Sequence, residues 1–180
     1  MIAFNGGSAN GTVTVPSSKS HTHRAIIMSA LSKGPCRVSS PLISFDTRAT
    51  MEAVRSMGAT VREYDDHLDI SAGSIHAPDR TIDVCNSGTT LRLMSGISAL
   101  FDSETVLTGD ESIRKRPMGP LLEALEGCGA SCSSDDGKAP LRIRGPVTKD
   151  HLSIDGSTSS QFVLYMSCRM SSGRDIRFIC

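Results

Sequence analysis

Three short stretches of this chain put hydroxyls, amides and cations where an anion would need them. "VPSSKSHTHR" (15–24) carries Lys19, Ser20 and Arg24; "CNSGTT" (85–90) carries Asn86 and Gly88; "DGSTSSQF" (155–162) carries Ser159, Ser160 and Gln161. Each follows a short apolar run and precedes a segment with helical spacing. A polar turn of Ser, Asn, Gly and Thr in that place caps a helix, because a side-chain oxygen accepts from an otherwise unpaired N–H. The first turn of the helix then offers free N–H groups and the positive end of its dipole, which suits a phosphate or a carboxylate. Lys19 and Arg24 add formal charge, Arg24 one helical turn after Ser20. Gly88 allows a ligand to approach the backbone. A fourth stretch, "IRKRPMG" (113–119), brings Arg114, Lys115 and Arg116 to a proposed helix start at Pro117, where an arginine could grip an oxyanion through two parallel hydrogen bonds.

Taken singly, each stretch has a plainer reading. Hydroxyls at helix starts cap helices, lysines and arginines solvate surfaces, and Gln161 could be an ordinary helix residue. His21 and His23 resemble a metal pair, yet no third ligand stands near them, so no metal is expected. The six cysteines form no CxxC pair and read as reduced thiols, packed as small apolar side chains.

The elements that would position these residues recur. "TVTVPSSKS" (12–20), "TIDVCNSGT" (81–89) and "LSIDGSTSS" (152–160) are alike and lie about 70 residues apart; "SAL" at 29–31 returns at 98–100, and "GAT" at 58–60 returns as "GAS" at 129–131. Such self-similarity predicts a repeated supersecondary unit. Each unit reads as strand, polar turn, helix, strand, helix and hairpin, βαβαββ, so the fold class is α/β of the α+β type. In unit one the strands are expected at Thr12–Val15 and Cys36–Ser39. Its first helix carries Ile26, Ile27, Ala30 and Leu31 on one face and ends at Gly34-Pro35. Its second helix runs Asp46–Met57 with Met51, Val54 and Met57 inward, and its hairpin turns at Asp65-Asp66. In unit two a strand is expected at Glu104–Leu107 and a helix at Pro117–Glu126, ended by Gly127, with Leu121, Leu122 and Leu125 inward. The hairpin turns at Asp135-Asp136-Gly137. The units are read as 13–80, 81–151 and 152–180, the third incomplete beyond a strand at Asp175–Ile179, so a truncated chain is expected. Three equivalent turns in a pseudo-threefold domain would gather at one end.

Composition narrows the class. Lysine plus arginine equals aspartate plus glutamate at 19 each, and the chain holds no Trp, two Tyr and five Phe. Nucleic-acid binding would call for a basic excess interleaved with aromatics. No apolar run approaches the ~20 residues that span a bilayer, and "MIAFNGGSANG" is not a secretory leader.

With "SKSHTHRA", "NSGTTLR", "LTGDESIRKRPMGPL" and "DGSTSSQF" in this order and spacing, the sequence resembles the 5-enolpyruvylshikimate-3-phosphate (EPSP) synthase family over about residues 8–180. The resemblance implies two similar domains, each of three βαβαββ units, with substrates between them, and an N-terminal segment (1–12) that crosses to the second domain. It implies transfer of the enolpyruvyl group of phosphoenolpyruvate to the 5-hydroxyl of shikimate 3-phosphate, with release of phosphate and without metal or cofactor. The setting it implies is cytoplasmic, in a monomer whose missing second domain is the natural intramolecular partner. Carried over residue by residue, Lys19 touches both substrates beside the transferred group. Ser20, Arg24, Ser159 and Ser160 bind shikimate 3-phosphate. Asn86, Gly88 and Arg116 bind phosphoenolpyruvate, in the pocket where glyphosate sits, and Gln161 reaches both ligands. Ser17 stands where many members have glycine, and Leu93 where some have proline. The acid–base carboxylates belong to the second domain in this family, so the chain alone is expected to bind shikimate 3-phosphate weakly at best and to turn nothing over. Two alternatives are the related transferase acting on UDP-N-acetylglucosamine and an inactive anion-binding module. Lys19-Ser20 in place of Lys-Asn, and a loop "GDESIRKRP" without cysteine, speak against the first.

Overall fold

The computed structural model describes residues 6, 8 and 10–148. The expected third unit, with Ser159, Ser160 and Gln161, lies outside the described residues. The first helix, α1 (Lys19–Ala30), starts at Ser18, whose hydroxyl accepts the His21 amide at 3.4 Å, and it buries Ile26, Ile27 and Ala30. β1 (Cys36–Ser39) follows, then α2 (Phe45–Ser56), β2 (Thr60–Glu63) and β3 (His67–Ser71). A reciprocal capping box opens α2: the Thr47 amide donates to Ser44 Oγ, and the Ser44 amide donates to Thr47 Oγ1 at 2.8 Å. Next come β4 (Ile82–Asp83), α3 (Gly88–Ser98), β5 (Thr105–Thr108), α4 (Glu111–Arg114), α5 (Gly119–Gly127), β6 (Ser131–Asp135) and β7 (Lys138–Arg144).

Two sheets result, in the orders β1-β3-β2 and β4-β5-β7-β6. In both, the last strand of the hairpin lies in the middle: β3 pairs antiparallel with β1 and β2, and β7 pairs antiparallel with β5 and β6. β4 runs parallel to β5, as the intervening helix α3 requires. Alternation along β3 and β7 turns Leu68 and Ile70, and Ala139, Leu141 and Ile143, inward. These residues join Met51 and Val54 of α2 and its C-cap Met57, Leu91, Met94 and Ile97 of α3, and Leu121, Leu122 and Leu125 of α5 in one core cluster. α1, α2 and α3 pack against one another. No helix among the described residues is long and apolar enough to cross a membrane.

The recurring Gly-Ala has a structural meaning. After α2, the Gly58 amide donates to the Arg55 carbonyl and the Ala59 amide to the Val54 carbonyl; after α5, Gly129 donates to Glu126 and Ala130 to Leu125. Both are Schellman terminators with a left-handed glycine, φ +98° at Gly58 and +102° at Gly129. The expected stop at Gly127 is therefore corrected: α5 continues through Gly127, and the terminating glycine is Gly129.

Other expectations also shift. Thr12–Val15 is not a strand. No described strand lies beside it, and Val13 and Val15 are 84% and 82% exposed, so neither backbone pairing nor burial favours extension there. α1 stops at Ala30, four residues before the Gly34-Pro35 expected to end it. The strand read at Glu104–Leu107 lies one residue later, at Thr105–Thr108. Pro117 does not open a helix: α5 starts at Gly119 with Pro120 in its first turn, and the short α4 precedes it, capped by Asp110, which accepts the Ile113 amide at 3.0 Å. Of the four cysteines described, only Cys128 is buried, and Cys85 is exposed.

At Gly58 a Cβ would strike the Ser74 carbonyl oxygen, on top of the left-handed backbone. Gly58→Ala is expected to lower stability by about 2 kcal/mol, read as a lower urea midpoint at unchanged slope.

Candidate functional site

The starts of α1 and α3 meet across the start of α2. Lys19, the first residue of α1, donates to Asp46 Oδ2 at 2.5 Å, and Asp46 lies in the first turn of α2. The Asp46 carbonyl oxygen stands 3.4 Å from both Thr50 Oγ1 and Thr90 Oγ1, the latter in the first turn of α3. Asp46 thus tethers the α1 cation through its side chain and touches α3 through its backbone. Thr22 adds a second tie, since its hydroxyl donates to the Ser18 carbonyl and accepts the Leu42 amide, both at 2.9 Å. The approach to α2 is thereby pinned to the first turn of α1.

Beneath these contacts runs a buried row of polar atoms. His23 Nδ1 is 2.6 Å from Thr50 Oγ1, Thr50 Oγ1 is 2.7 Å from Thr90 Oγ1, and Thr90 Oγ1 is 2.6 Å from Ser87 Oγ. Ser87 is the N-cap of α3 and accepts the Thr90 amide at 3.2 Å. Burial lowers the His23 pKa to about 4; the Asp46 carboxylate opposes that shift and the Lys19 ammonium adds to it. His23 is therefore neutral at physiological pH.

The turn before α3 has its own support. The Asn86 amide donates to Asp110 Oδ2 at 2.5 Å, and the Asp110 amide donates to the Cys85 carbonyl at 2.8 Å. The hydrogen bond from Asn86, the Ile113 amide and the nearby Arg116 guanidinium hold the Asp110 carboxyl below the usual range. Partial burial, with Asp83 and Asp110 nearby, raises the Cys85 thiol pKa. Gly88 sits beneath two guanidiniums. A Cβ there would collide with Arg116 Nη1, with Arg116 Cζ at 3.1 Å and Arg92 Nη1 at 3.4 Å.

Of the residues expected from sequence, the structure brings Lys19, through Asp46, to the start of α3, and sets Arg116 on Gly88 next to Asn86. Ser20 is exposed on the first turn of α1, and Arg24 is half-buried one turn on. Ser159, Ser160 and Gln161 lie outside the described residues. The "IRKRP" cluster divides: Arg114 donates to the Gly109 carbonyl at 2.9 Å, Lys115 pairs with Glu111 on the surface, and Arg116 alone reaches Gly88. The His21–His23 pair separates, with His21 exposed and His23 buried on Thr50. Among the described residues, no three His, Cys, Asp or Glu side chains group as metal ligands. Asp46, Asp110 and Arg92 were not singled out from sequence. Arg92, four residues after Gly88 and so on the same helix face, carried a usable signal. The two aspartates needed the tertiary contact.

The Arg116 guanidinium over the amide-bearing start of α3 has the chemistry to hold an oxyanion, and Lys19 stands at the neighbouring start of α1, tied to α2 through Asp46. Residues 5–173 match the family profile described as EPSP synthase (3-phosphoshikimate 1-carboxyvinyltransferase). The chain is 50% identical over 179 residues to the 3-phosphoshikimate 1-carboxyvinyltransferase of Methanothrix thermoacetophila, covering 96% of this chain and 42% of that protein. It is 47% identical over 176 residues to that of Methanosarcina acetivorans, covering 94% and 41%. The chain thus spans about two fifths of the length of these relatives. Among solved structures, an EPSP synthase from Acinetobacter baumannii superposes with a TM-score of 0.79 at 30% identity, covering 87% of this chain and 37% of that one.

The low pKa of His23 has a consequence for stability. The unfolded chain takes up this proton near pH 6.5, the folded chain only near pH 4, so the unfolded state holds more protons between those values. The contribution of this group to stability is expected to be constant above about pH 6.5, to fall as the pH drops towards about 4, and to level off below that. Urea unfolding across this range should show the slope, and His23→Gln should flatten it.

Proposed function

The chain belongs to the EPSP synthase family, and from that premise we propose that its 180 residues supply one wall of the site at which an enolpyruvyl group passes from phosphoenolpyruvate to the 5-hydroxyl of shikimate 3-phosphate, with release of phosphate. The observation that supports this most directly is the meeting of Arg116 and Gly88 at the start of α3, beside Asn86. A phosphate or carboxylate placed there would find a planar guanidinium for two parallel hydrogen bonds and the helix amides beside Gly88, which has no side chain of its own. In this reading Lys19 stands between the two substrates, Ser20 and Arg24 hold shikimate 3-phosphate, and Asn86, Gly88 and Arg116 hold phosphoenolpyruvate. Ser159, Ser160 and Gln161 complete the cradle from a third, equivalent turn of a pseudo-threefold domain with units at 13–80, 81–151 and 152–180. The enzyme works in the cytoplasm as a monomer.

Chemically, the wall does two things. It brings together two polyanions that repel each other, and it fixes their separation so that the hydroxyl and the enol carbon stay close. Lys19 also stands where charge develops as the C–O bond forms, and an ammonium held in place there lowers the barrier without reorganising. Its ion pair with Asp46 is half-exposed, 52% on the lysine side, and is worth at most ~1 kcal/mol. An incoming phosphate can therefore displace Asp46 at little cost. The general acid and base lie in a second, similar domain, so the 180-residue chain binds and does not turn over.

Calorimetry on the chain tests the reading. Shikimate 3-phosphate is expected to give measurable heat that disappears in Lys19→Ala and Arg24→Ala, while both substrates together release no inorganic phosphate. Absence of heat at millimolar ligand would remove the binding role, and steady phosphate release would remove the assignment of acid–base chemistry to another domain. Gly88→Ala should displace the Arg116 guanidinium and weaken phosphoenolpyruvate about tenfold, a loss of ~1.4 kcal/mol. Shikimate 3-phosphate should bind unchanged, which two separate titrations would distinguish.

A further inference from the structure

His23, Thr50, Thr90 and Ser87 present a proton-counting problem. Their polar atoms lie 2.6, 2.7 and 2.6 Å apart in sequence along the row, and all four residues are at most 1% exposed. Each of these contacts needs one proton, since lone pairs facing each other at that distance repel. Each hydroxyl supplies one proton, and the neutral imidazole carries its own on one nitrogen or the other. If the imidazole proton is on Nε2, all three hydroxyls must point back towards Nδ1, and the Nε2–H is stranded, because Nε2 is buried without a hydrogen-bond partner. If the proton is on Nδ1, the row runs forward, His23 to Thr50 to Thr90 to Ser87. Nε2 then leaves only a lone pair unfilled, which buried sites tolerate better than an orphaned N–H.

The forward arrangement has one hydroxyl proton more than it needs. At Thr50 or Thr90 that proton would find only the Asp46 carbonyl, 3.4 Å away. At Ser87 it leaves the row at the cap of α3, between Asn86 and Gly88. Ser87 already accepts from the Thr90 hydroxyl and the Thr90 amide, which polarises its own O–H.

We infer that His23 is held as the Nδ1–H tautomer and acts as a positioning residue, aligning Thr50, Thr90 and the Ser87 cap, and through them the first turn of α3 whose amides receive the anion. This assigns the phosphoenolpyruvate pocket a buried histidine that sets the direction of the hydrogen bonds behind the α3 cap. The inference rests on the reading of that turn as the phosphoenolpyruvate site. The neutral state of His23, kept by burial against the opposing Asp46, is consistent with it. The charged groups bearing on the ring are Asp46 of α2 and Lys19 of α1.

Long-range proton–nitrogen NMR on the 15N-labelled 180-residue chain at pH 7 reads the tautomer directly, with His23→Gln to assign the resonance. A protonated Nδ1 and bare Nε2 are expected; a protonated Nε2, or a ring that titrates near the ordinary histidine value, overturns the assignment. Titration with phosphoenolpyruvate, followed by amide shifts of α3, reads the positioning role. Thr50→Val is expected to weaken binding about tenfold and to move the His23 proton to Nε2, whereas Thr50→Ser, which keeps the hydroxyl, restores both. Equal affinity in all three proteins overturns the positioning role. If the unsubstituted chain does not respond to phosphoenolpyruvate, the reading of the turn fails and the positioning role with it. The tautomer spectrum still decides the first half of the inference, so the two failures are distinguishable.

Discussion

Helix starts can face a common anion only if the polar atoms packed behind them are satisfied without water. In this chain a row of one imidazole and three hydroxyls meets that condition, running from α1 through α2 to the cap of α3. A buried hydroxyl without a partner costs ~1–3 kcal/mol, so losing one member strands its neighbours and loosens three helices together. The row is also rigid for its size. Threonine has few rotamers, and the histidine is enclosed. The helix axes are therefore set by short hydrogen bonds with directional demands, in a region where aliphatic packing alone would permit sliding.

Above that row, charges of one sign converge. Lys19 stands at one helix start, and Arg92 and Arg116 both close on Gly88 at another. Such a cluster opposes folding unless it is tempered, and two carboxylates temper it from opposite sides. Asp46 pairs with Lys19, and Asp110 holds Asn86 while feeling the field of Arg116. An anionic ligand would complete the neutralisation, and binding and stability are therefore linked by mass action.

The rest of the fold serves to deliver these turns. Each sheet holds its hairpin with the last strand central, and alternation along β3 and β7 turns one face of each sheet to the helix-lined core. The Schellman glycines, Gly58 and Gly129, stop α2 and α5 and return the chain to the sheet. One core runs under both sheets, so α1 and α3 are packed on the same body.

Local chemistry was legible in the sequence. The polar turns at Ser18–Ser20 and Asn86–Gly88, the inward stripes of α1, α2 and α5, both hairpins and the recurring Gly-Ala were readable because each depends on neighbours within one or two turns. The chain does not carry the same information about Thr12–Val15, whose alternating valines look like a strand. A strand exists only where another backbone pairs with it, and none of the described strands does. The same limit explains the site. Lys19 was visible and Asp46 was not, because their contact crosses 27 positions. Arg116 could not be told from Arg114 until folding set one on Gly88 and the other on the Gly109 carbonyl. His23, whose spacing from His21 carried no usable role in the sequence, is the buried end of a polar row. Residue type and spacing decided which helices form and what their ends can bind; only tertiary packing decided which ends meet, because burial and pairing between distant segments have no local signature.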